Sequence, residues 1–494
     1  MNWSEIKNLQ SISQKEIPFF PADKFFSDII ESVKNGRRLL NYFGISESDK
    51  VKIYCLIADD ELSKIFIAYT ELNRGESYSS LTIDIPASHL FERELFEQCG
   101  IIPEGHPWLK PVRKGIAGIN PNETQYEFFK MLGEEVHEVA VGPIHAGIIE
   151  PGHFRFSAHG ELVHNLEIQL GFQHRGVEKL FVKNDNILYQ TKLAESIAGD
   201  SVIAHSGTFL RAVESLMNIN VSKRVKITRA VMLELERIAV HLGDLSAISN
   251  DIAYLTGNSI FGALRTLIIN TSMNICGNRF GRGMMKPGGV NFDIDETKRK
   301  SLIDTINKVN NDIQIAVDVM FSSASVMERL EKTGIVSKET AIAIGMVGMA
   351  ARASGISIDA RVDHPFGAYQ FFPIHKLTLD SGDVFARSYI RFIEIQQSVK
   401  IINDLLADFQ KGELTVGKNE MQKESFVVSV TEGWRGEIVH CLLTDETGRI
   451  KNIKIKDPSF NNWFAIALAV REEGISDFPL CNKSFNLSYC GFDL

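Results

Sequence analysis

The stretch from Val141 to Leu180 constrains the fold more than any other part of the chain. It opens with Gly142-Pro143-Ile144-His145, a turn signal that leads into a loop. Gly152-His153-Phe154-Arg155-Phe156 then alternates polar and apolar residues, the period of a half-buried strand. A turn at His159-Gly160 follows, and a second alternating run passes through Leu166, Ile168 and Leu170. The stretch closes with Gly171-Phe172-Gln173-His174-Arg175-Gly176-Val177-Glu178-Lys179, where the long helical part begins. This pattern predicts a β-hairpin feeding a helix, with His, Arg and Glu gathered at the junction. Junction loops of that kind are frequent site builders, and a hairpin corner with solvated charges would read the same way.

At 494 residues the chain exceeds one ordinary core, so two or more domains are expected. Residues 23–43 place Phe25, Phe26, Ile29, Ile30, Val33 and Leu40 at helical spacing, an amphipathic helix. Residues 51–58, 64–70 and 77–84 read as strands, and a charged helix from Phe91 to Cys99 stops at Gly100. A linker follows, with Gly115, Gly118 and Pro121 among polar residues. Helical periodicity dominates residues 184–412. Strand alternation returns at 425–430, 437–444 and 450–455, around the Gly433-Trp434-Arg435-Gly436 turn. A final helix over 457–472 precedes an apolar, turn-rich tail.

The net charge of −9, with no basic block, argues against a nucleic-acid partner. Residues 1–20 lack the pattern of a signal peptide. The longest near-apolar run, residues 341–351, is far below the ~20 residues needed to span a bilayer. The chain is therefore expected in the cytosol, or at a membrane only through partners. Its six cysteines, Cys55, Cys99, Cys276, Cys441, Cys481 and Cys490, form no CxxC pair. Isolated buried thiols are the expectation for them.

GPIH at 142–145, EPGHFRF at 150–156 and HRGVEK at 174–179 resemble, in this order, the start of a known family. It is the large subunit of membrane-bound, energy-converting nickel–iron hydrogenases, to which the quinone-site subunit of respiratory complex I is related. The resemblance continues to the last residue. Glu92-Arg93-Glu94, Gly100 and His106-Pro107 resemble the small α+β accessory subunit of complex I, which is fused to the large subunit in some hydrogenases. The resemblance implies an α+β protein. A small N-terminal α+β docking domain over residues 1–115 and a linker over 116–135 would precede a mostly helical hydrogenase-like domain with peripheral β-hairpins over 136–494.

A nickel–iron centre needs four thiolates, because soft sulfur ligands hold and tune the metals. In hydrogenases of this family the first pair lies seven and four residues before the histidine that is His205 here. Ala198 and Ser201 occupy those positions, and Ser488 and Gly491 occupy the second pair. Cys490 is one place out of register. The resemblance to complex I is also incomplete: Gly281 stands where that subunit has a histidine beside the terminal cluster, and Ile197 where it has the quinone-binding tyrosine.

Other parts of the family pattern persist. Asp359-Ala360-Arg361-Val362-Asp363-His364-Pro365-Phe366 resembles its RxDHPF segment, whose arginine lies over the metal pocket. Arg175 and Glu178 fill the HRGxEK positions, where the glutamate serves proton transfer. Glu234, Arg237 and His241 fall at i, i+3 and i+7, on one helical face. By spacing alone that face reads equally as a solvated stripe.

The resemblance implies candidate catalytic residues Glu178, His205, Arg361 and Asp363. His145, Arg175 and His241 are the candidate cofactor-contacting residues, and no metal ligands are expected. It also implies the large subunit of a membrane-associated oxidoreductase complex without a nickel–iron centre. The chain itself would bind no cofactor: electrons would arrive from an iron–sulfur cluster in a small partner subunit, with quinone a candidate acceptor. Membrane-arm subunits that pump ions would hold it at the cytoplasmic side of the membrane. The alternative is a redox-silent coupling subunit of such a complex.

Overall fold

The computed structural model describes residues 2–113, 126–133, 135–147, 149–417 and 419–494. The architecture is α+β. An N-terminal antiparallel sheet runs in the order Ser4–Ile6, Lys64–Asn73, Lys50–Asp59, Arg38–Glu47. The helix Ala22–Lys34 packs on it and buries Phe25, Phe26 and Ile29. That helix is shorter than its sequence predicts. Gly36, at φ 89°, turns the chain, and Leu39, Leu40, Tyr42 and Phe43 continue as strand instead of helix. The reason is burial on both faces. Leu39 and Tyr42 pack into the main core, whereas Leu40 and Phe43 meet Phe426, Val428 and Val430 of a second sheet. A strand covered on both sides loses the polar–apolar alternation that would mark it.

The strand expected over residues 77–84 shortens to Ser77–Ser79. Buried Glu92 draws the following residues into a 3-10 turn, accepting from Leu81 N at 2.8 Å, Thr82 N at 3.0 Å and Ser80 Oγ at 2.6 Å. Its helix, His89–Cys99, ends at left-handed Gly100, as the glycine stop predicts. The linker expected over residues 116–135 lies mostly outside the described residues.

The hairpin of the organising stretch forms where alternation places it. His153–His159 pairs antiparallel with Leu162–Gln169 on one side and Val136–Val141 on the other. Val177–Lys183 is the helix that follows. The helical body holds Val202–Leu216, Lys223–Asp251, Leu255–Cys276, Glu296–Ser322 and Val384–Ala407, with Lys223–Asp251 packed against its neighbours on both sides.

The second sheet runs Ile450–Lys456, Glu437–Thr444, Ser425–Glu432, Ile12–Ser13, so an N-terminal strand completes a C-terminal sheet. It packs between the helix Val202–Leu216 and the N-terminal sheet. The final helix is Pro458–Ala469, and the tail beyond it adds Phe478–Phe485 and Tyr489–Asp493, both seated in the core. All six cysteines are free, and only Cys490 is less than fully buried. Among the described residues no helix is long and apolar enough to cross a membrane.

Candidate functional site

The HRG turn is built around the end of the chain. Asp493 accepts from Gly171 N at 2.7 Å and Gln173 N at 2.8 Å, while Arg175 N and Gly176 N donate to Leu494 O at 2.8 and 3.1 Å. Gly176, at φ 68°, starts the helix, a conformation that glycine adopts without strain. The Arg175 guanidinium donates to Ser196 O at 2.7 Å, Ile197 O at 3.0 Å and Cys490 O at 3.4 Å. It ties together the two segments that carry positions 198, 201, 488 and 491.

Glu178 turns elsewhere. Arg175 precedes the helix that carries Glu178. Glu178 Oε1 instead accepts from Ile455 N at 2.9 Å and lies 3.3 Å from Lys454 Nζ. Lys454 also pairs with Glu94 at 2.6 Å. Burial pushes the Lys454 ammonium down to about 8, against the upward pull of Glu178. The pair opens on a cavity of about 770 Å³ whose lining includes Phe43, Glu97, His174, Lys183 and Leu494.

His205 lies in a separate, fully buried stack. Its Nε2 is 2.9 Å from Asp457 Oδ2 and its Nδ1 is 3.2 Å from His440 Nε2. Burial alone would raise Asp457, but the His205 hydrogen bond and charge hold it below the usual carboxylate range. Burial, helped by His205, keeps His440 well below the ordinary histidine value. Of the four positions equated with nickel ligands, Ser488 and Gly491 lie beside Asp457. A Cβ at Gly491 would stand 2.7 Å from Asp457 Cγ and 2.9 Å from Ser488 Oγ. Ser488 Oγ caps Gly491 N at 2.9 Å, and Ser201 Oγ is 3.4 Å from Arg435 Nη1. Arg435 itself is held bidentate by Asp200, at 2.6 Å to each oxygen.

The third group is a buried ion network on the central helix. Glu234, Arg237 and His241 share a face, and that face is in the core rather than a solvated stripe. Glu234 accepts from Arg361 Nη1 at 3.0 Å, Arg237 Nε at 3.2 Å, and the hydroxyls of Tyr369 and Ser398 at 2.5 Å each. Glu394 takes His241 Nε2 at 3.0 Å, Arg237 Nη1 at 3.2 Å and Arg352 Nη2 at 2.7 Å. Arg352 continues to Glu432 at 2.7 Å, and Arg361 to Asp359 at 2.7 Å. Burial raises Glu432 to about 7, with Arg352 opposing. Removing one partner from such a network costs about 3–5 kcal/mol, because the remaining charge is left uncompensated.

Comparison with known proteins shows the relatedness of the chain. A family described as "Respiratory-chain NADH dehydrogenase, 49 Kd subunit" matches residues 251–429. The chain is 30% identical over 368 residues to the membrane-bound hydrogenase subunit alpha of Pyrococcus furiosus, covering 71% of this chain and 85% of that protein. The chain belongs to this family. A further family relative is formate hydrogenlyase subunit 5 of Escherichia coli, 27% identical over 494 residues, which covers 94% of this chain and 86% of that protein. The same fold occurs in a chain of the archaeal membrane-bound sulfane sulfur reductase, a respiratory membrane complex. There the TM-score is 0.69 at 22% identity, over 74% of this chain and 100% of that one.

In this family member the structure distributes the expected site residues over separate groups. Arg361 and His241 join the ion network, and His205 belongs to the Asp457 stack. Asp363 accepts from Asp359 N at 2.8 Å and pairs with Lys376 at the edge of the network. His145 closes its own loop, with Nε2 2.8 Å from Gly152 O, and lines neither large cavity. Only Glu178 among them faces the 770 Å³ cavity. Sequence reasoning missed Lys454, Asp457, His440, Arg435, Glu394 and Glu432. The available signal was the charge alternation in IKNIKIKD, residues 450–457, inside an otherwise apolar strand.

Proposed function

We propose that this chain is the large subunit of the peripheral arm of a membrane-bound, energy-converting oxidoreductase complex, working without a nickel–iron centre. It would pass electrons from an iron–sulfur cluster of a small partner subunit to an acceptor, coupled to ion pumping in a membrane arm that holds it at the cytoplasmic side. The observation that carries the reading is the Gly491–Asp457–His205 contact. Positions 198, 201, 488 and 491 bring Ala, Ser, Ser and Gly instead of thiolates, and the Asp457 carboxyl stands where a side chain at 491 would project. Oxygen and hydroxyl groups do not fit a centre that needs soft sulfur ligands.

The acceptor would enter the cavity beside Glu178, where Lys454 is an acid able to give up a proton near neutral pH. Quinone is one candidate acceptor. Residues 1–115 would form a docking domain fused to the body, which it joins through the strand Ile12–Ser13. Exposed Ile144 (82%), Leu188 (53%) and Ile149 (49%), on segments next to the HRG turn, are the apolar surface that an iron–sulfur subunit would cover.

The second reading, a redox-silent coupler, is favoured by one observation: Glu234 has four internal partners and needs no substrate to satisfy it. Purification of the intact complex tests the first reading directly. Metal analysis should find no nickel, hydrogen should be neither taken up nor evolved, and one of a panel of acceptors should turn over. About one nickel per chain, the content of a thiolate-held centre, would overturn the reading.

A further inference from the structure

A second cavity, of about 450 Å³, lies where the helices Val202–Leu216 and Lys223–Asp251 meet residues 9–11 and the 3-10 turn Gly367–Gln370. It shares no lining residue with the cavity beside Glu178. Its wall carries three cations, Arg211, Lys226 and Arg229, and one carboxylate, Glu214. Arg229 and Glu214 answer each other through Nη1 and Nη2, at 2.8 and 2.6 Å, and Glu214 also accepts from Gly288 N at 2.8 Å.

The other two cations form no ion pair among the described residues, and the one carboxylate near Arg211, Glu214, is already paired with Arg229. Arg211 donates a single hydrogen bond, from Nη2 to Thr431 Oγ1 at 2.6 Å, and its guanidinium stacks 4.5 Å from the Phe366 ring. Among the described residues it forms no ion pair, and the Lys226 ammonium has neither ion pair nor hydrogen bond. Burial, reinforced by neighbouring Arg229 and opposed by Glu214, pulls Arg211 down to about 9. A desolvated guanidinium without a directly paired carboxylate is costly, and its planar fork matches the oxygens of carboxylates and phosphates. Ile219, Leu9 and Phe366 add apolar surface beside the charges.

We propose that this cavity binds a small anion, a carboxylate or a phosphate, held between Arg211 and Lys226. Nothing in the electron-transfer reading requires it, and it stands or falls separately. The test is isothermal titration of the full-length protein, as isolated, with inorganic phosphate and separately with hexanoate. One of the two should bind in the millimolar range or tighter, the stronger one naming the class. Arg211→Gln should weaken binding on the order of ten- to a hundredfold, the scale of a lost charge-assisted hydrogen bond. Arg211→Lys should fall in between, and Lys300→Gln, an exposed charge outside this cavity, should leave binding intact. Lys226→Gln removes a charge with no internal partner, so it tests the site even where Arg211 variants fold poorly. No binding of either probe by the wild-type protein would overturn the proposal. Affinity unchanged in both Arg211→Gln and Lys226→Gln would do the same.

Discussion

Replacing Glu178 by Gln separates electron transfer at the cavity from a purely structural role. In the wild-type protein the Glu178 side chain is 19% exposed and Lys454 only 6%, with 3.3 Å between their charged atoms. At an effective dielectric of about 20, two unit charges at that distance attract by roughly 5 kcal/mol. Solvent at the carboxylate screens part of this. A third of it still exceeds the ~1.4 kcal/mol that corresponds to one pKa unit. Burial already holds Lys454 at about 8, so losing Glu178 lowers it further and raises its neutral fraction at pH 7, with Glu94 left as its counter-charge. Glutamine keeps an oxygen for Ile455 N–H, so the helix contact survives, but the carboxylate beside the Lys454 ammonium is gone. Acceptor-dependent turnover of the assembled complex should then fall by about a hundredfold or more, the contribution of general acid–base catalysis. The wild-type rate should also show an ionisation near pH 8 that the variant lacks. Equal turnover and an equal pH profile in a fully assembled Glu178→Gln complex would refute the proton-delivery role and favour the coupler.

Two further outcomes follow from the buried groups. Asp457→Ala removes the His205 partner and the cap of the helix Pro458–Ala469, and should lower stability in urea by about 3–5 kcal/mol. A loss under about 1 kcal/mol would mean that the stack is not the buried pair described, since breaking such pairs costs more. Glu236 is held up at about 8 by burial, against hydrogen bonds from Ile203 N and Ala204 N. The folded protein therefore keeps a proton that the unfolded chain releases near 4.5, and stability falls as pH rises between those values, by roughly a few kcal/mol. Glu236→Gln should flatten that decline when unfolding midpoints at pH 5 and pH 8 are compared. Parallel declines in the two proteins would count against it.

How much of the fold was legible depended on which faces were covered. The hairpin from His153 to Gln169 keeps polar residues at alternate positions, so its period survives in the sequence. The strand Arg38–Glu47 does not, because Leu40 and Phe43 meet one layer while Leu39 and Tyr42 meet another. Its apolar run then merges with the preceding helix by spacing alone. Only Gly36 signalled the break, and a lone glycine in a helical pattern is a weak stop. The 3-10 turn after Ser79 was hidden for a different reason. It is drawn in by Glu92, a residue of the next helix, and no local pattern encodes that carboxylate.

The site shows the same division between local and distant information. Positions 198, 201, 488 and 491 could be read one by one as lacking sulfur, since each is a single residue in a segment that resembles the family. What stands among them could not be read, because Asp457 reaches His205 across 252 positions and Arg435 reaches Asp200 across 235. The long-range contacts change the meaning of the missing thiols. Gly491 is more than a residue without sulfur: any side chain there meets the Asp457 carboxyl, which is itself fixed by His205 and by its cap on Ser459 N at 2.8 Å. A cysteine introduced at 491 would therefore displace the buried Asp457–His205 pair. Glycine at 491 thus leaves the room that the Asp457 carboxyl, paired with the His205 imidazole, occupies.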